Sequence, residues 1–313
     1  MTWLFQDPYF RQHRTDRHPE RPLRLEKIDE RLAASGIDAE CQRVPWADVP
    51  LGTLQRLHEP NYVAAVQRCA DEGGGRLDPD TVVSPESYRV ALRAAGAACE
   101  AVDQVVHAAG AANALCLVRP PGHHALASRA MGFCLFNNIA VAAQHALDAH
   151  QLDRVLIVDF DVHHGNGTQD AFYDTDRVGF LSVHRFPFYP GSGSLAETGV
   201  GAGLGATLNV PVSIGTTRER YLELYRAALE DIASRIKPQL VLVSAGFDAH
   251  AEDPIGSLGL ATEDFGALTD GVLEIASTYA GGKLVSLLEG GYNVDKLADC
   301  VQLHLRHLID ASA

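Results

Sequence analysis

The hydrophobic pattern of the chain alternates between short apolar runs and longer segments with helical spacing. Residues 155–158, Val-Leu-Ile-Val, form an uninterrupted apolar run, which is typical of a strand buried on both faces of a parallel sheet. Further short apolar runs predict strands at residues 115–118, 178–183, 240–243 and 284–288. Helical spacing of apolar residues predicts helices at about residues 23–34, 51–70 in pieces, 84–107, 139–147, 216–236, 262–279 and 294–308.

Capping residues predict where several of these helices begin. Ser84, followed by proline, predicts an N-cap, Thr216 with Glu219 predicts a capping box, and Thr262 predicts a third N-cap. The first hundred residues show loop and helix patterns without a strand. Because strand and helix alternate from residue 115 onward, we predict one α/β domain over residues 1–313 with a central, mainly parallel β-sheet.

Composition and charge narrow the classes of function. The chain carries 26 Lys and Arg against 40 Asp and Glu, a formal net charge of −14. An acidic protein repels phosphate groups, so we expect no nucleic-acid partner. No segment resembles a membrane span or a signal peptide, so we expect a cytoplasmic protein with no membrane partner. The 6 cysteines lie far apart without a Cys-x-x-Cys pair, which argues against disulfides or a thiolate metal site and favours buried thiols.

Polar residues cluster where the predicted strands end. They are His123 and His124 after the strand at 115–118, Asp159, Asp161 and His163 after 155–158, Asp248 after 240–243, and Tyr292 after 284–288. In open α/β sheets, ligands bind beyond the carboxyl ends of the strands. The sequence therefore predicts that these loops converge on one crevice.

The cluster after residue 158 has the composition of a cation site. Asp159, Asp161 and His163 stand at alternate positions, so an extended chain points them to one side. Burying two carboxylates without a compensating charge is costly, which indicates a bound cation. Asp161, His163 and Asp248 together offer one nitrogen and two oxygen ligands. Such a set leaves coordination positions for water and substrate, and it suits a catalytic Zn²⁺ or Fe²⁺.

Two further features suit acid–base chemistry next to a metal ion. His123 and His124 follow Pro-Pro-Gly, a stiff turn, and adjacent imidazoles are better placed to activate water and deliver protons than to bind one ion together. Tyr292 follows Gly290 and Gly291, which let a phenol approach the site closely. A phenol beside a metal ion can stabilise the oxyanion formed when a carbonyl is attacked.

Six ordered motifs give the chain a family resemblance. They are Arg-Pro-Pro-Gly-His-His at 119–124, Gly-Phe-Cys at 132–134, Asp-Phe-Asp-Val-His-His-Gly-Asn-Gly-Thr at 159–168, Pro-Gly-Ser-Gly at 190–193, Gly-Phe-Asp at 246–248 and Glu-Gly-Gly-Tyr at 289–292. With them the chain resembles the zinc-dependent histone deacetylase family, which includes bacterial deacetylase-like amidohydrolases and acetylpolyamine amidohydrolases. The resemblance runs from about residue 18 to the end. It implies an arginase/deacetylase-type three-layer α/β/α sandwich.

The resemblance also implies roles for the site residues. These roles are Zn²⁺ ligation by Asp161, His163 and Asp248, tandem general base and acid by His123 and His124, orientation of His123 by Asp159, contact with His124 by Asn166, and oxyanion stabilisation by Tyr292. Class I members carry Asp at the position of Asn166, so this chain is similar to class II. A structural K⁺ would be held by Asp159, Asp161, backbone oxygens of His163, Ser182 and Val183.

The implied reaction is metal-assisted hydrolysis of an acyl amide, in which His124 protonates the leaving amine. The implied substrate is N-ε-acyl-lysine in a peptide or protein, or a small acyl-amine. Phe133 and Tyr189 match the two aromatic positions that line the acyl-lysine tunnel, although the second is usually Phe. Gly132, Gly290, Ile255 and Asp80 complete the expected substrate-binding set.

Alternative functions remain open at this stage. Arginase-like binuclear hydrolysis requires Asp at two positions where this chain has Gly165 and His250. Acetylpolyamine hydrolysis is the main alternative, but a polyamine-specific relative has Glu at the position of Ile255, which here favours an acyl-lysine or a general acyl amide. Glu197 or Glu252 could supply the missing acid. A non-catalytic acyl-lysine binder is disfavoured because the histidine pair, the phenol and all three ligands are present. A homo-oligomer is compatible with the sequence.

Overall fold

The computed structural model describes residues 1–312 and is built around one parallel sheet. Its strands are β1 (Thr2–Phe5), β2 (Gly75–Asp78), β3 (Thr81–Val83), β4 (Ala112–Cys116), β5 (Val155–Asp159), β6 (Val178–Arg185), β7 (Thr207–Val212), β8 (Leu240–Ala245) and β9 (Lys283–Leu288). Within residues 1–312, seven of them form a fully parallel sheet in the order β1-β4-β9-β8-β5-β6-β7. β2 and β3 form a separate antiparallel hairpin.

Helices cover the sheet on both faces. They are α1 (Leu23–Ser35), α2 (Leu51–Leu54), α3 (Pro60–Asp71), α4 (Ser87–His107), α5 (Asn138–Ala149), α6 (Asn166–Ala171), α7 (Arg218–Ile236), α8 (Thr262–Tyr279) and α9 (Val294–Asp310). The strands β4, β5, β8 and β9 each pack against α4 or α5 and also against one of α7, α8 and α9. The predicted three-layer α/β/α sandwich is therefore confirmed. No helix in the described part of the chain is long and apolar enough to cross a membrane.

The central strands explain why the apolar runs are visible in the sequence. β5 and β8 are neighbours, and every residue of both strands is buried. A strand covered by helices on both faces has no solvent-facing position, so it needs no alternating polar residues. At its last residue, Asp159, β5 pairs with Ser182 of β6 and Ser244 of β8. The polar residues of the site therefore begin where the buried apolar run ends.

The two edge strands were missed by the sequence analysis. β1 lies at one edge, although no strand was expected in the first hundred residues, and β7 lies at the other. β1 has only four residues, too few to show a period. β7 contains Pro211, which an edge strand tolerates because one of its sides makes no ladder hydrogen bonds.

Three predicted helix starts are shifted by a few residues. α4 begins at Ser87 rather than at Ser84, and the Ser87 hydroxyl accepts the Ser84 N–H at 2.7 Å. Thr217, and not Thr216, caps α7. Thr262 is the first residue of α8 rather than its cap. Helix ends vary by one or two residues with the local geometry, so the sequence places a helix start only to within a few residues.

The cysteines agree with the expectation of free thiols. Cys99, Cys116, Cys134 and Cys300 are free and buried, and Cys41 and Cys69 are free and partly exposed.

Candidate active site

The polar residues predicted from the sequence meet at the carboxyl end of the sheet. They lie on the loops that follow β4, β5, β8 and β9, and these four strands are consecutive neighbours in the order β4-β9-β8-β5. The loops therefore open on one crevice, as expected for an open α/β sheet.

Asp161, His163 and Asp248 form a buried group whose ligand atoms lie within 4.8 Å of one another. His163 Nδ1 is 3.0 Å from Asp161 Oδ1 and 3.1 Å from Asp248 Oδ2. Burial lowers the pKa of His163, but the two carboxylates outweigh burial and raise it to about 10. The group therefore attracts positive charge, which is a proton on His163 or a metal ion in its place.

One carboxylate oxygen in this group makes no hydrogen bond. Asp248 Oδ1 accepts the Val162 N–H at 2.9 Å, whereas Oδ2 is buried and accepts no hydrogen bond among residues 1–312, although His163 Nδ1 lies 3.1 Å from it. Burial and the charge of Asp161 raise the pKa of Asp248 to about 7. A buried carboxylate oxygen without a hydrogen bond is costly, and a metal ion between it and His163 would compensate for the missing hydrogen bond. One imidazole and two carboxylates suit Zn²⁺ or Fe²⁺, so the residues fit the predicted metal.

Glycines lie directly against these ligands. A Cβ atom on Gly246 would lie 2.1 Å from Asp161 Oδ2, and one on Gly290 would lie 2.2 Å from Asp248 Oδ2. The Gly290 N–H also donates to Asp161 Oδ2 at 2.8 Å. Gly290 was predicted as a substrate contact, and the structure places it directly against the carboxylates of Asp161 and Asp248.

Gly165 and His250 stand at the two positions where a binuclear site requires Asp, and the contacts of both residues oppose a second metal ion. A Cβ atom on Gly165 would lie 2.2 Å from Asp159 Oδ2, which leaves no room for a carboxylate. His250 Nδ1 accepts the Glu252 N–H at 3.1 Å, and its Nε2 is 3.3 Å from Thr262 Oγ1. The geometry supports one metal ion at this centre.

The two adjacent histidines have different partners. His123 Nδ1 is 2.9 Å from Asp159 Oδ2, and His124 Nδ1 is 2.7 Å from Asn166 Oδ1. The ring centroids are 4.0 Å apart. Gly132 supports this arrangement, since its φ is +56° and a Cβ atom there would lie 2.2 Å from the His124 ring. These contacts agree with the predicted positions of Asp159 and Asn166.

The environment drives the pKa values of the two histidines apart. Burial acts to lower the pKa of His123, but the charges of Asp159, Asp161 and Glu289 raise it well above its ordinary value. Burial and the charges of His123 and His163 hold the pKa of His124 well below its ordinary value. This environment favours a proton on His123 over a second proton on His124.

Glu289 supports the histidine turn, a role that the sequence analysis did not assign. Its Oε2 accepts the N–H groups of Gly122 and His123 at 2.7 and 3.2 Å, and Ser244 Oγ donates to Oε1 at 3.2 Å. Burial raises the pKa of Glu289 to about 7. Its place as the first residue of the Glu-Gly-Gly-Tyr motif, directly after β9, was the sequence signal.

A buried ion network fixes the loop that carries Tyr292. Arg24 Nε donates to the Gly291 carbonyl at 2.7 Å, and its guanidinium lies 5.2 Å from the centre of the Tyr292 ring. Glu20 bridges Arg24 and Arg119, and both arginines are fully buried. Burial raises the pKa of Tyr292 well above its ordinary value, so the phenol keeps its proton. The sequence analysis missed this network.

A narrow pocket of about 190 Å³ leads to the metal-binding group. It is lined by Asp80, His124, Gly132, Phe133, His163, Phe188, Tyr189, Ile255 and Tyr292. All the predicted substrate-binding residues except Gly290 are therefore on its wall. Phe188, which the sequence analysis missed, stacks on the His163 ring at 5.2 Å.

The β2–β3 hairpin shapes the pocket entrance. Asp80 lies in the turn between the two strands, in a segment that the sequence predicted as loop. Thr81 Oγ1 accepts the Phe133 N–H at 3.2 Å, which ties the hairpin to an aromatic wall of the pocket. Tyr189 is 38% exposed and forms the outer part of that wall.

Comparison with known proteins defines the class of the protein. The histone deacetylase domain matches residues 18–308. The chain therefore belongs to the histone deacetylase family and is a hydrolase of that family.

Relatives in several groups of organisms support this assignment. The histone deacetylase-like amidohydrolase of Pseudomonas aeruginosa is 39% identical over 279 residues, which cover 88% of this chain and 73% of that protein. The polyamine deacetylase HDAC10 of Homo sapiens is 38% identical over 303 residues, which cover 93% of this chain and 44% of that protein. The crystal structure of the HDA15 HD domain has a TM-score of 0.93 at 35% identity and covers 99% of this chain and 88% of that chain.

Proposed function

We propose that this protein hydrolyses the acyl amide of an N-ε-acyl-lysine side chain in a peptide or protein, with a bound Zn²⁺. The observation that carries the proposal is the buried group of Asp161, His163 and Asp248 at the foot of the aromatic pocket, in which Asp248 Oδ2 accepts no hydrogen bond. Fe²⁺ has similar ligand preferences and is the alternative ion. When bound, the ion would lower the pKa of a water molecule toward about 7 and polarise the acyl carbonyl.

His124 is proposed to transfer protons between the attacking water and the leaving amine. The family resemblance implied that His123 and His124 act as a tandem general base and acid, but of the two it is His124 that lines the pocket. Asn166 Oδ1 accepts a hydrogen bond from His124 Nδ1–H, which leaves Nε2 to exchange protons with water and with the leaving amine. His123, held by Asp159, contributes positive charge next to it.

Tyr292 is proposed to donate a hydrogen bond to the oxyanion that forms on the acyl carbon. Its ring lines the pocket and packs edge-on against Phe133, with centroids 5.7 Å apart. A phenol that keeps its proton is a donor for developing negative charge. The Arg24 guanidinium and the Gly290–Gly291 turn fix the position of the ring.

A structural K⁺ at Asp159, Asp161, His163, Ser182 and Val183 also remains a proposal. Asp159 and Ser182 are direct partners across β5 and β6, and Val183 is the next residue of β6. Carboxylate, hydroxyl and carbonyl oxygens are the ligands that hard cations prefer.

The pocket walls favour acyl-lysine over an acetylated polyamine. Phe133, Phe188 and Tyr189 surround a channel suited to an extended alkyl chain, and Ile255 on the wall offers no charge to a distant ammonium group. Glu197 does not replace it, because its carboxylate accepts the N–H groups of Gly193 and Ser194.

Glu252 does not supply this charge either, since its carboxylate forms an ion pair with Lys296 at 3.1 Å. Asp80, at the tip of the hairpin, is the carboxylate on the pocket wall outside the metal-binding group, and it is placed to accept a backbone N–H of a bound peptide. This arrangement supports a peptide or protein as the substrate.

Substituting Ile255→Glu should move the preference toward polyamines. A carboxylate on the pocket wall attracts a second ammonium group, so we expect kcat/KM for an acetylated polyamine to rise by about tenfold, equivalent to about 1.4 kcal/mol. We expect kcat/KM for an acetyl-lysine peptide to fall. Steady-state rates on both substrates measure the change.

The matched control is Ile255→Gln, which has a similar shape and no charge. It should leave the substrate preference near that of the unmodified protein. If the unmodified protein already prefers the acetylated polyamine, or if the Gln variant behaves like the Glu variant, charge at residue 255 does not set the specificity.

A further inference from the structure

A second group of metal-binding side chains lies away from the catalytic pocket. The Nε2 atoms of His145 and His150 are 2.7 and 2.6 Å from the same oxygen, Oδ1 of Asp103. Within residues 1–312, this group and the catalytic one are the two places where three such side chains bring ligand atoms within 4.8 Å of one another. The side chains of His145, His150 and Asp103 are 19%, 9% and 34% exposed, so solvent ions can reach them.

The fold places this group at the amino ends of the strands, whereas the catalytic residues lie at their carboxyl ends. Asp103 lies near the end of α4, His145 lies near the end of α5, and His150 directly follows α5. From His150 the chain enters β5, and the catalytic motif begins only at the far end of that strand, about 16 Å away. The two groups are therefore separate sites.

A third imidazole lies beside the group. His107, one helical turn after Asp103, has its Nδ1 2.8 Å from the Asp103 carbonyl oxygen. A carbonyl only accepts, so Nδ1 carries the proton and Nε2 keeps its lone pair. The His107 ring packs edge-on against the His150 ring, with centroids 4.9 Å apart. Metal-binding histidines are commonly oriented by a hydrogen bond of this kind on the other ring nitrogen.

The dimensions are close to those of a zinc site. Zinc bonds of about 2.0–2.1 Å in a tetrahedral site place ligand atoms about 3.3 Å apart. The nitrogen–oxygen separations here are about 0.6 Å shorter than that, and partly exposed side chains can move outward by this amount. Both imidazoles contact the same carboxylate oxygen, Asp103 Oδ1, and neither is hydrogen-bonded to the other oxygen, Oδ2. Three ligand atoms therefore lie close together.

We propose that Asp103, His145 and His150, with the His107 ring packed beside them, form a second binding site for Zn²⁺ or a similar divalent transition-metal ion. The ion would join the end of α4 to the end of α5. Because an ion that binds only the folded protein stabilises it, occupancy of this site should raise the thermal stability of the protein without changing the catalytic centre.

The test counts zinc in the folded protein. After dialysis against micromolar free Zn²⁺, metal analysis should find one more equivalent in the unmodified protein than in His145→Asn. The same difference should appear with Asp103→Asn, which keeps the shape of the side chain and removes its charge. Starting from protein that already holds one catalytic equivalent of zinc, further Zn²⁺ should raise the melting temperature of the unmodified protein and not that of either variant, while turnover of an acetyl-lysine peptide stays within about twofold.

His307→Asn is the matched control. His307 is also a partly exposed histidine paired with a carboxylate, Asp270, at 2.5 Å, but it has no third ligand in the described structure. This variant should bind as much zinc as the unmodified protein. Equal zinc content in the unmodified protein, His145→Asn and Asp103→Asn would overturn the proposal and leave a hydrogen-bonded Asp–His network. The count is independent of whether the catalytic proposal holds.

Discussion

Replacing Tyr292 by Phe is expected to lower kcat for an acetyl-lysine peptide by about 10²- to 10³-fold, because it removes one donor to the oxyanion. The ring contacts with Phe133 and Arg24 remain, so fold and metal binding should be retained. KM should change little, since the phenol acts on the transition state rather than on the bound substrate. Steady-state kinetics, circular dichroism and metal analysis of the variant measure these three quantities.

Tyr189→Phe is the comparison for this experiment. It removes a hydroxyl from the outer part of the same pocket and keeps the aromatic wall. We expect kcat to change by about threefold or less, far less than for Tyr292→Phe. Near-normal kcat for Tyr292→Phe would remove the phenol from the mechanism.

Asp248→Asn is expected to abolish metal binding and turnover together. The Val162 N–H requires an oxygen acceptor, so the amide oxygen should take the place of Oδ1 and the NH₂ group should face the metal position in place of Oδ2. An NH₂ group donates hydrogen bonds and does not ligate a cation. We expect the catalytic equivalent of zinc to be lost and kcat to fall by at least about 10³-fold.

Asp264→Asn is the control for the loss of a buried carboxylate. Asp264 is 5% exposed and binds Arg218 and the Ala261 N–H at the start of α8, away from the pocket. This variant should keep zinc and most of the turnover, with any cost confined to stability. Full zinc content and normal kcat in Asp248→Asn would show that the group around Asp161 is not the catalytic metal site.

The centre of this site could be predicted because its signals are local in the sequence. A doubly buried strand appears as a continuous apolar run, and the residues that follow it alternate sides, so 155–163 specifies both β5 and the direction of Asp159, Asp161 and His163. In a parallel sheet the carboxyl ends of the strands lie on one side, so the loops that carry His123, Asp248 and Tyr292 were predicted to meet this cluster. The structure confirms that Asp161, His163 and Asp248 come together.

The supporting residues could not be predicted because their contacts join distant parts of the chain. Glu20 forms an ion pair with Arg119, which is about a hundred residues later in the sequence. Arg24 donates a hydrogen bond to the Gly291 carbonyl in the loop that carries Tyr292. No periodicity connects such pairs. Phe188 was missed for a different reason, because the neighbouring Tyr189 matched the expected aromatic position and a second aromatic carried no separate signal.

The most direct test of the proposed function is the turnover of an acetyl-lysine peptide by metal-free and zinc-restored protein, with its trifluoroacetyl analogue and an acetylated polyamine measured alongside. We predict that chelation abolishes turnover, that Zn²⁺ restores it, and that the peptide is preferred over the polyamine. Turnover that persists without metal would contradict the role of Asp161, His163 and Asp248. Tight binding of acetyl-lysine by the zinc-loaded protein with no turnover of any substrate would instead make it a binding protein.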